Sequence, residues 1–295
     1  MTNFMETKGS EPRRACYPPG LQRATPFFPT RSKGQCFLTD HLYVERIVEA
    51  IAPAAEETLL EIGAGEGQIT LPMLDKGARI VAVEADKRLA AKLLARAASD
   101  ERLEVLQQDA LKVDFLDVIA SRKLERTRAF GNLPYSIAAP ILFKLISAAP
   151  AFKSLTLMFQ KEVAERLVAP PSTAAYSLLS VVAQQAAQIR VLFSIPPDAF
   201  RPRPRVLSSL VAFELRHDRA PGYGNEATFR ALVKGLLAHR RKTIRNNIKH
   251  LHPTGVSPER MREALEQLGI DLSRRAETLS VEEFAELGRI CASPA

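Results

Sequence analysis

Apolar residues fall into two rhythms along this chain. Short unbroken runs suit strands buried on both faces, and between them lie segments whose apolar positions recur every three or four residues, as on one face of a helix. The runs Thr58-Leu59-Leu60-Glu61-Ile62, Arg79–Glu84, Leu103–Ala110 and Ser154–Phe159 predict strands, with Arg128–Gly131 a shorter one. Helical spacing predicts helices over Gln68–Leu74, Lys87–Ala98, Ile137–Ala148, Gln160–Val168 and Tyr176–Gln188. Ahead of them, Leu42, Ile47, Val48 and Ile51 predict an apolar stripe on a helix over His41–Ala52, with Thr39 or Asp40 as its cap. Ile189–Ile195 and Ser208–Leu215 read as a final pair of strands. Strands alternating with helices imply an α/β fold with a doubly wound parallel sheet.

The last stretch changes rhythm. Glu226–His250, Ser257–Leu268 and Ser280–Ile290 are helical in period and predict a small all-helical domain. Asp218–Asn225, glycine-rich and polar, reads as a linker, and residues 1–34, rich in proline and basic side chains, read as a flexible arm. The expected organisation is an arm over 1–34, an α/β domain over 35–217 and a helical domain over 218–295. A chain of 295 residues is long enough to bury such a core.

Composition narrows the classes. An apolar fraction of 46% and a charged fraction of 25% are those of an ordinary globular protein. No apolar run has membrane-spanning length and the N-terminus lacks a signal-type hydrophobic region, so a cytoplasmic location without membrane association is expected. Three separated cysteines, Cys16, Cys36 and Cys291, form no C-x-x-C pair, and the five histidines are dispersed. No disulfide framework and no metal site are expected. The net charge of +8 is uneven: residues 201–250 carry 12 basic and three acidic side chains, and residues 1–34 carry six and two. Such a concentration suits a polyanion-binding surface, although most charge runs are solvated faces.

The candidate chemistry starts at Gly63-x-Gly65-x-Gly67, directly after a predicted strand. Glycines there permit a tight strand-to-helix turn and close approach of a ligand to the main chain. Glu84, 21 residues after Gly63 at the end of the next strand, suits an acid that accepts from both ribose hydroxyls of a nucleoside-containing cofactor. A nicotinamide dinucleotide is the rival ligand, but its G-x-G-x-x-G spacing is missing. With Glu61 before the loop and Glu84 after it, S-adenosylmethionine is favoured, because it carries an ammonium and a sulfonium and no phosphates. Asp109, at the end of a predicted strand, either starts a turn or accepts a hydrogen bond from the cofactor adenine.

Asn132-Leu133-Pro134-Tyr135 is the sharpest signal. The exocyclic amine of adenine is a poor nucleophile, because its lone pair is delocalised into the ring. Two acceptors for its hydrogens, the Asn132 side-chain oxygen and the Leu133 carbonyl, would drive the nitrogen toward a pyramidal geometry. Pro134 restricts where that carbonyl points, and Tyr135 offers a ring for the base to stack on. The bland alternative is an Asn-x-Pro turn beside a core tyrosine.

Taken together, Gln35-x-Phe37-Leu38, Glu61-Ile62-Gly63-x-Gly65-x-Gly67, Glu84, Gln108-Asp109-Ala110 and Gly131-Asn132-Leu133-Pro134-Tyr135 resemble, in order, the ribosomal RNA adenine N6-dimethyltransferases. So do Phe159-Gln160-Lys161-Glu162-Val163, Pro196-Pro197-x-x-Phe200-x-Pro202-x-Pro204 and Arg240-Arg241-Lys242-Thr243-Ile244-Arg245-Asn246. The housekeeping branch acting on small-subunit rRNA is the nearer likeness, since the antibiotic-resistance branch has isoleucine at the position of Leu133. The resemblance implies a Rossmann-like fold and S-adenosylmethionine held by Leu38, Gly63, Gly65, Glu84, Asp109 and Asn132. It also implies a target adenine packed by Phe200 and a small ribosomal subunit precursor, with its rRNA, as partner. Cys36 stands where that family has asparagine, so weaker cofactor binding by about 1 kcal/mol is expected. Arg240, Arg241, Lys242, Arg245 and Lys249 are expected on one helix lying along phosphates, with Asn246 and Asn247 adding neutral contacts. Arg201, Arg203 and Arg205 would extend that track, Lys161 and Glu162 would be surface residues, and a monomer is the default. Two other readings stay open: a large-subunit rRNA or DNA adenine methyltransferase, and a ribosome-assembly checkpoint that acts mainly by binding.

Overall fold

Each apolar run becomes a strand because the sheet can cover both of its faces. In the computed structural model, which describes residues 36–97, 100–217, 226–249 and 256–292, the chain runs as follows. It begins with β1 (Phe37–Leu38), α1 (His41–Ile51), β2 (Thr58–Ile62), α2 (Thr70–Asp75), β3 (Arg79–Val83), α3 (Lys87–Arg96), β4 (Leu103–Leu106) and α4 (Phe115–Ala120). Next come β5 (Thr127–Asn132), α5 (Ala138–Ser147), β6 (Phe152–Gln160), α6 (Lys161–Leu167), α7 (Leu178–Ala186), β7 (Ala187–Ile195), β8 (Phe200–Arg201) and β9 (Ser208–Leu215). Helices α8 (Glu226–Leu236), α9 (Ile244–Ile248), α10 (Pro258–Gln267) and α11 (Val281–Ala292) close the chain. The arm over 1–34, Gln35 and the expected linker Asp218–Asn225 lie outside the described residues.

Seven strands form one sheet in the order β4-β3-β2-β5-β6-β9-β7. The first five are parallel, and β9 runs antiparallel between β6 and β7. Successive side chains point to opposite faces. Leu60, Ile62, Val81 and Val83 enter one apolar cluster with α4, α5 and α7, while Leu59, Ile80 and Ala82 enter the other with α1 and α2. The winding reverses between β2 and β5, and a crevice opens there at the carboxyl ends of the strands.

The edges of the elements differ from expectation for local reasons. Asp40 caps α1, its carboxylate accepting from Leu42 N–H at 3.0 Å. The buried stripe is Val44, Ile47, Val48 and Ile51, whereas Leu42 is 60% exposed, because the 3.6-residue period puts it on the opposite side. Strand β5 is longer and more central than its sequence suggests. Gly131 must be glycine because a Cβ there would lie 2.3 Å from the Ile62 carbonyl oxygen of β2. Arg128 breaks the apolar run because it pairs with Glu57 below the sheet. Helix α4 was not foreseen, although Asp114 caps it and Phe115, Val118 and Ile119 are its buried face.

The expected helix over Glu226–His250 is two helices. Around Gly235 the chain leaves α8 and re-enters helix only after Thr243. Asn247 holds the turn: it is buried, and its amide donates to the carbonyls of Leu236 at 2.8 Å and His239 at 3.2 Å. The C-terminal helices pack on α7, and Phe229, Leu232, Leu265 and Phe284 join the cluster beneath the sheet. Arg230 of α8 lies over the ring of Phe143 on α5, 4.2 Å from its centroid. Among the described residues no helix is long and apolar enough to cross a membrane.

Candidate active site

The crevice is built from the loops that follow β2, β3, β4 and β5. After β2 the chain turns through Gly63, Gly65 and Gly67, whose φ values of +75°, +59° and +86° are left-handed. At Gly65 the constraint is double, because a Cβ would also lie 3.1 Å from the ring of Phe37. The Gly65 N–H donates to Glu84 Oε2 at 2.9 Å, and the Asp86 N–H donates to Glu84 Oε1 at 2.8 Å. The acid after β3 is thereby fixed against the turn after β2. Burial raises the Glu84 carboxyl above its ordinary pKa, although these N–H groups oppose the shift. Glu61, 2% exposed, accepts from the Thr70 hydroxyl at 2.5 Å, and burial pushes its carboxyl up to about 8.

Asp109 lies three residues beyond β4 rather than at its end. Its Oδ1 accepts from Leu111 N–H at 2.9 Å, which starts a turn, while the residue still lines the crevice. At the end of β5 the Asn132 Nδ2 donates to the Cys36 carbonyl at 3.0 Å, so Oδ1 is the amide atom left to accept. Among the described residues nothing donates to the Leu133 carbonyl. Tyr135 follows, half-buried, and its hydroxyl lies 2.5 Å from that of Ser208. Cys36 contributes to this arrangement through its backbone, while burial raises its thiol pKa and keeps it neutral.

The resulting cavity has a volume of about 340 Å³. It gathers Cys36, Leu38, Gly63, Gly65, Glu84, Asp109 and the whole of Asn132-Leu133-Pro134-Tyr135. Phe37, Asp86 and Ile141 complete its walls without having been singled out as site residues. Phe37 gave no separate signal because a two-residue strand has no period to detect. Its strand β1 pairs with β8, and Thr39 and Asp40 N–H groups reach the Ala199 carbonyl at 2.8 and 3.2 Å.

Four acids line the cavity, and among the described residues no lysine, arginine or histidine does. A pyrophosphate would find no cationic side chain there, whereas a ligand bearing ammonium and sulfonium charges finds compensating carboxylates.

Several expected substrate residues are placed otherwise. Phe200 is 0% exposed, packed with Leu38 and Ile195 in the core, so it cannot stack on a base in this arrangement. Arg240 is turned inward: it pairs with Glu277 at 2.9 Å and donates to the carbonyls of Ala174 at 2.5 Å and Thr173 at 2.7 Å. Asn247 is likewise consumed by its turn. Arg201 folds onto the Asp198 and Phe200 carbonyls and Arg203 pairs with Asp198 at 3.2 Å, whereas among the described residues no such partner is seen for Arg205. Arg241 and Lys242 are exposed on the turn before α9 and Arg245 on α9 itself. The bridge between Thr243 and Arg275 adds the exposed Arg275 to this group, a cation that sequence spacing gave no reason to join to it.

Sheet order, glycine turn and cation-compensating pocket together define an S-adenosylmethionine-dependent methyltransferase. Residues 29–292 match the family described as ribosomal RNA adenine dimethylase. A relative from Idiomarina loihiensis, named Ribosomal RNA small subunit methyltransferase A, is 38% identical over 86% of this chain and 84% of its own. One of the same name from Geobacter metallireducens is 38% identical over 88% of this chain and 94% of its own. The chain belongs to the ribosomal RNA adenine dimethylase family. Its fold is shared by a dimethyladenosine transferase from Plasmodium falciparum, with a TM-score of 0.69 and 24% identity over 85% of this chain and 95% of that one. The 23S rRNA methyltransferase ErmE shares it too, with a TM-score of 0.60 and 22% identity over 87% of this chain and all of that one.

Proposed function

We propose that this enzyme dimethylates N6 of two adjacent adenines in the loop of the 3′-terminal hairpin of small-subunit (16S) rRNA, acting on a subunit precursor. The observation that carries the chemistry is the pair of acceptors at the end of β5. The Nδ2 bond to Cys36 leaves Asn132 Oδ1 as the amide atom that accepts, and among the described residues the neighbouring Leu133 carbonyl has no donor. Both hydrogens of an adenine amine can be accepted there, which localises the nitrogen lone pair for attack. Tyr135, the aromatic ring that lines the cavity beside these acceptors, stacks the base, while the buried Phe200 is out of reach of it.

S-adenosylmethionine, when bound, supplies a methyl group on a positively charged sulfur that departs as a neutral thioether. Glu84 and Asp109 hold its nucleoside end by accepting hydrogen bonds, Gly63 and Gly65 admit it close to the main chain, and Leu38 covers it. Glu61 adds a carboxylate for its positive charge. No strong general base is required of the chain, since the target nitrogen gains its nucleophilicity from the two acceptors and the cationic nitrogen left by methyl transfer is acidic enough to lose its proton to water.

The target rests on the relatives' names and on the exposed cations. Arg205 on the loop before β9, and Arg241, Lys242, Arg245 and Arg275 on the helical unit, contact phosphates and set affinity and register. Residues 35–217 then act as the methyltransferase domain and 218–295 as the RNA-binding helical domain. The reading carries with it a cytoplasmic monomer that meets its subunit during assembly.

The test is transfer of labelled methyl groups to three substrates in parallel: undermethylated small subunits, protein-free large-subunit rRNA and double-stranded DNA. Label confined to two adenines near the small-subunit rRNA 3′ end is expected. Label on either other substrate would keep the chemistry and overturn the target. Tight subunit binding with no label would favour the assembly-checkpoint reading.

A further inference from the structure

Tyr135 sits on a short turn between β5 and α5, with no sheet pairing to fix its ring. Among the described residues the one hydrogen bond of its side chain is to the hydroxyl of Ser208, 2.5 Å away and 73 residues further along the chain. Ser208 is itself rigidly held. It is 0% exposed and pairs with Gln160 of β6 on one side and Ile195 of β7 on the other. It is also the residue at which β9 begins, so the loop carrying Arg205 ends on it. Just before it, the Leu207 carbonyl accepts from Lys161 N–H at 2.9 Å, which pins the end of that loop to α6.

We propose that Ser208 is a positioning residue for methyl transfer, tethering the Tyr135 ring at a fixed distance from the Arg205 loop. The inference rests on the reading of Tyr135 as the ring that stacks the target base. The hydroxyl pair does not touch the reacting atoms. It removes the freedom of the turn to carry the ring away from the Asn132 and Leu133 acceptors, so that a base stacked on Tyr135 presents its amine to both. The same strand start fixes where Arg205 meets the backbone of the same RNA. Base presentation and phosphate contact are thereby held to one buried point.

The experiment is a double-variant cycle with Ser208→Ala, Tyr135→Phe and the two combined, assayed for methyl transfer to small subunits. Tyr135→Phe keeps the stacking ring and removes only the tether. Each single variant is expected to lower kcat by about fivefold, the loss of one hydrogen bond, with KM for S-adenosylmethionine unchanged. The combined variant is expected to fall no further, since both changes break the same contact. Thermal melting of each variant identifies any that fails to fold, and the Tyr135→Phe result then stands alone. Wild-type kcat in Ser208→Ala, or losses that simply add, would overturn the tether. A wild-type enzyme that transfers no label would instead overturn the reading of the site itself.

Discussion

At the scale of single residues the site depends on acids kept out of water. Glu61 has its carboxyl raised from 4.5 to about 8, with burial the main cause and the nearby Glu84 charge adding to it. The folded chain therefore holds a proton between those values that the unfolded chain has released. This contribution to stability weakens as pH rises from about 4.5 to about 8 and is gone above that. A cationic ligand reverses the preference by favouring the ionised carboxyl. Cofactor binding is thus expected to release a proton and to tighten between pH 6 and 7.5, by up to about tenfold per pH unit. Titration calorimetry in two buffers of different ionisation enthalpy reads this directly. An affinity flat across that range, with no buffer dependence, would contradict it.

The element scale separates two kinds of arginine that look alike in sequence. An unbroken run, Arg240-Arg241-Lys242, suggested one helix face along phosphates. The chain instead turns there, because Gly235 weakens helix continuation and Asn247 satisfies the carbonyls left open at the end of α8. The turn sends Arg240 inward to Glu277 and leaves Arg241 and Lys242 exposed. Arg240→Ala is expected to destabilise the fold by about 1–3 kcal/mol through its unpaired partners, seen as a lower melting temperature. Arg241→Glu with Lys242→Glu is expected to leave melting alone and to flatten the salt dependence of RNA binding by about one unit per lost phosphate contact. Unchanged salt dependence in the latter would remove these residues from the interface.

Across the whole molecule, local chemistry was legible and long-range contact was not. The strands on both sides of the switch point showed as apolar runs, and Gly63, Gly65, Glu84, Asp109 and Asn132 showed because each sits at or just past a strand end. All of them meet in one cavity. Phe200 was expected at the target adenine through the family resemblance, but the pairing of β8 with β1 pulls it into the core. Ser208 and Arg275 could not be found from sequence, since their roles arise from contacts across 73 residues and across a bridge to Thr243. Leu42 is the opposite case, an apolar residue in a helix whose period alone would have placed it in solvent.

The central claim is that the acceptors at Asn132 and Leu133 make an rRNA adenine amine nucleophilic. Its most direct test is a nucleotide-resolved count of dimethyladenosine on small subunits treated with the wild-type enzyme or with Asn132→Ala. Two adjacent modified adenines near the 3′ end are expected from the wild type. A rate lower by about a hundredfold or more is expected from the variant, as for loss of a group that acts chiefly in the transition state. Dimethylation by Asn132→Ala at the wild-type rate would contradict the mechanism.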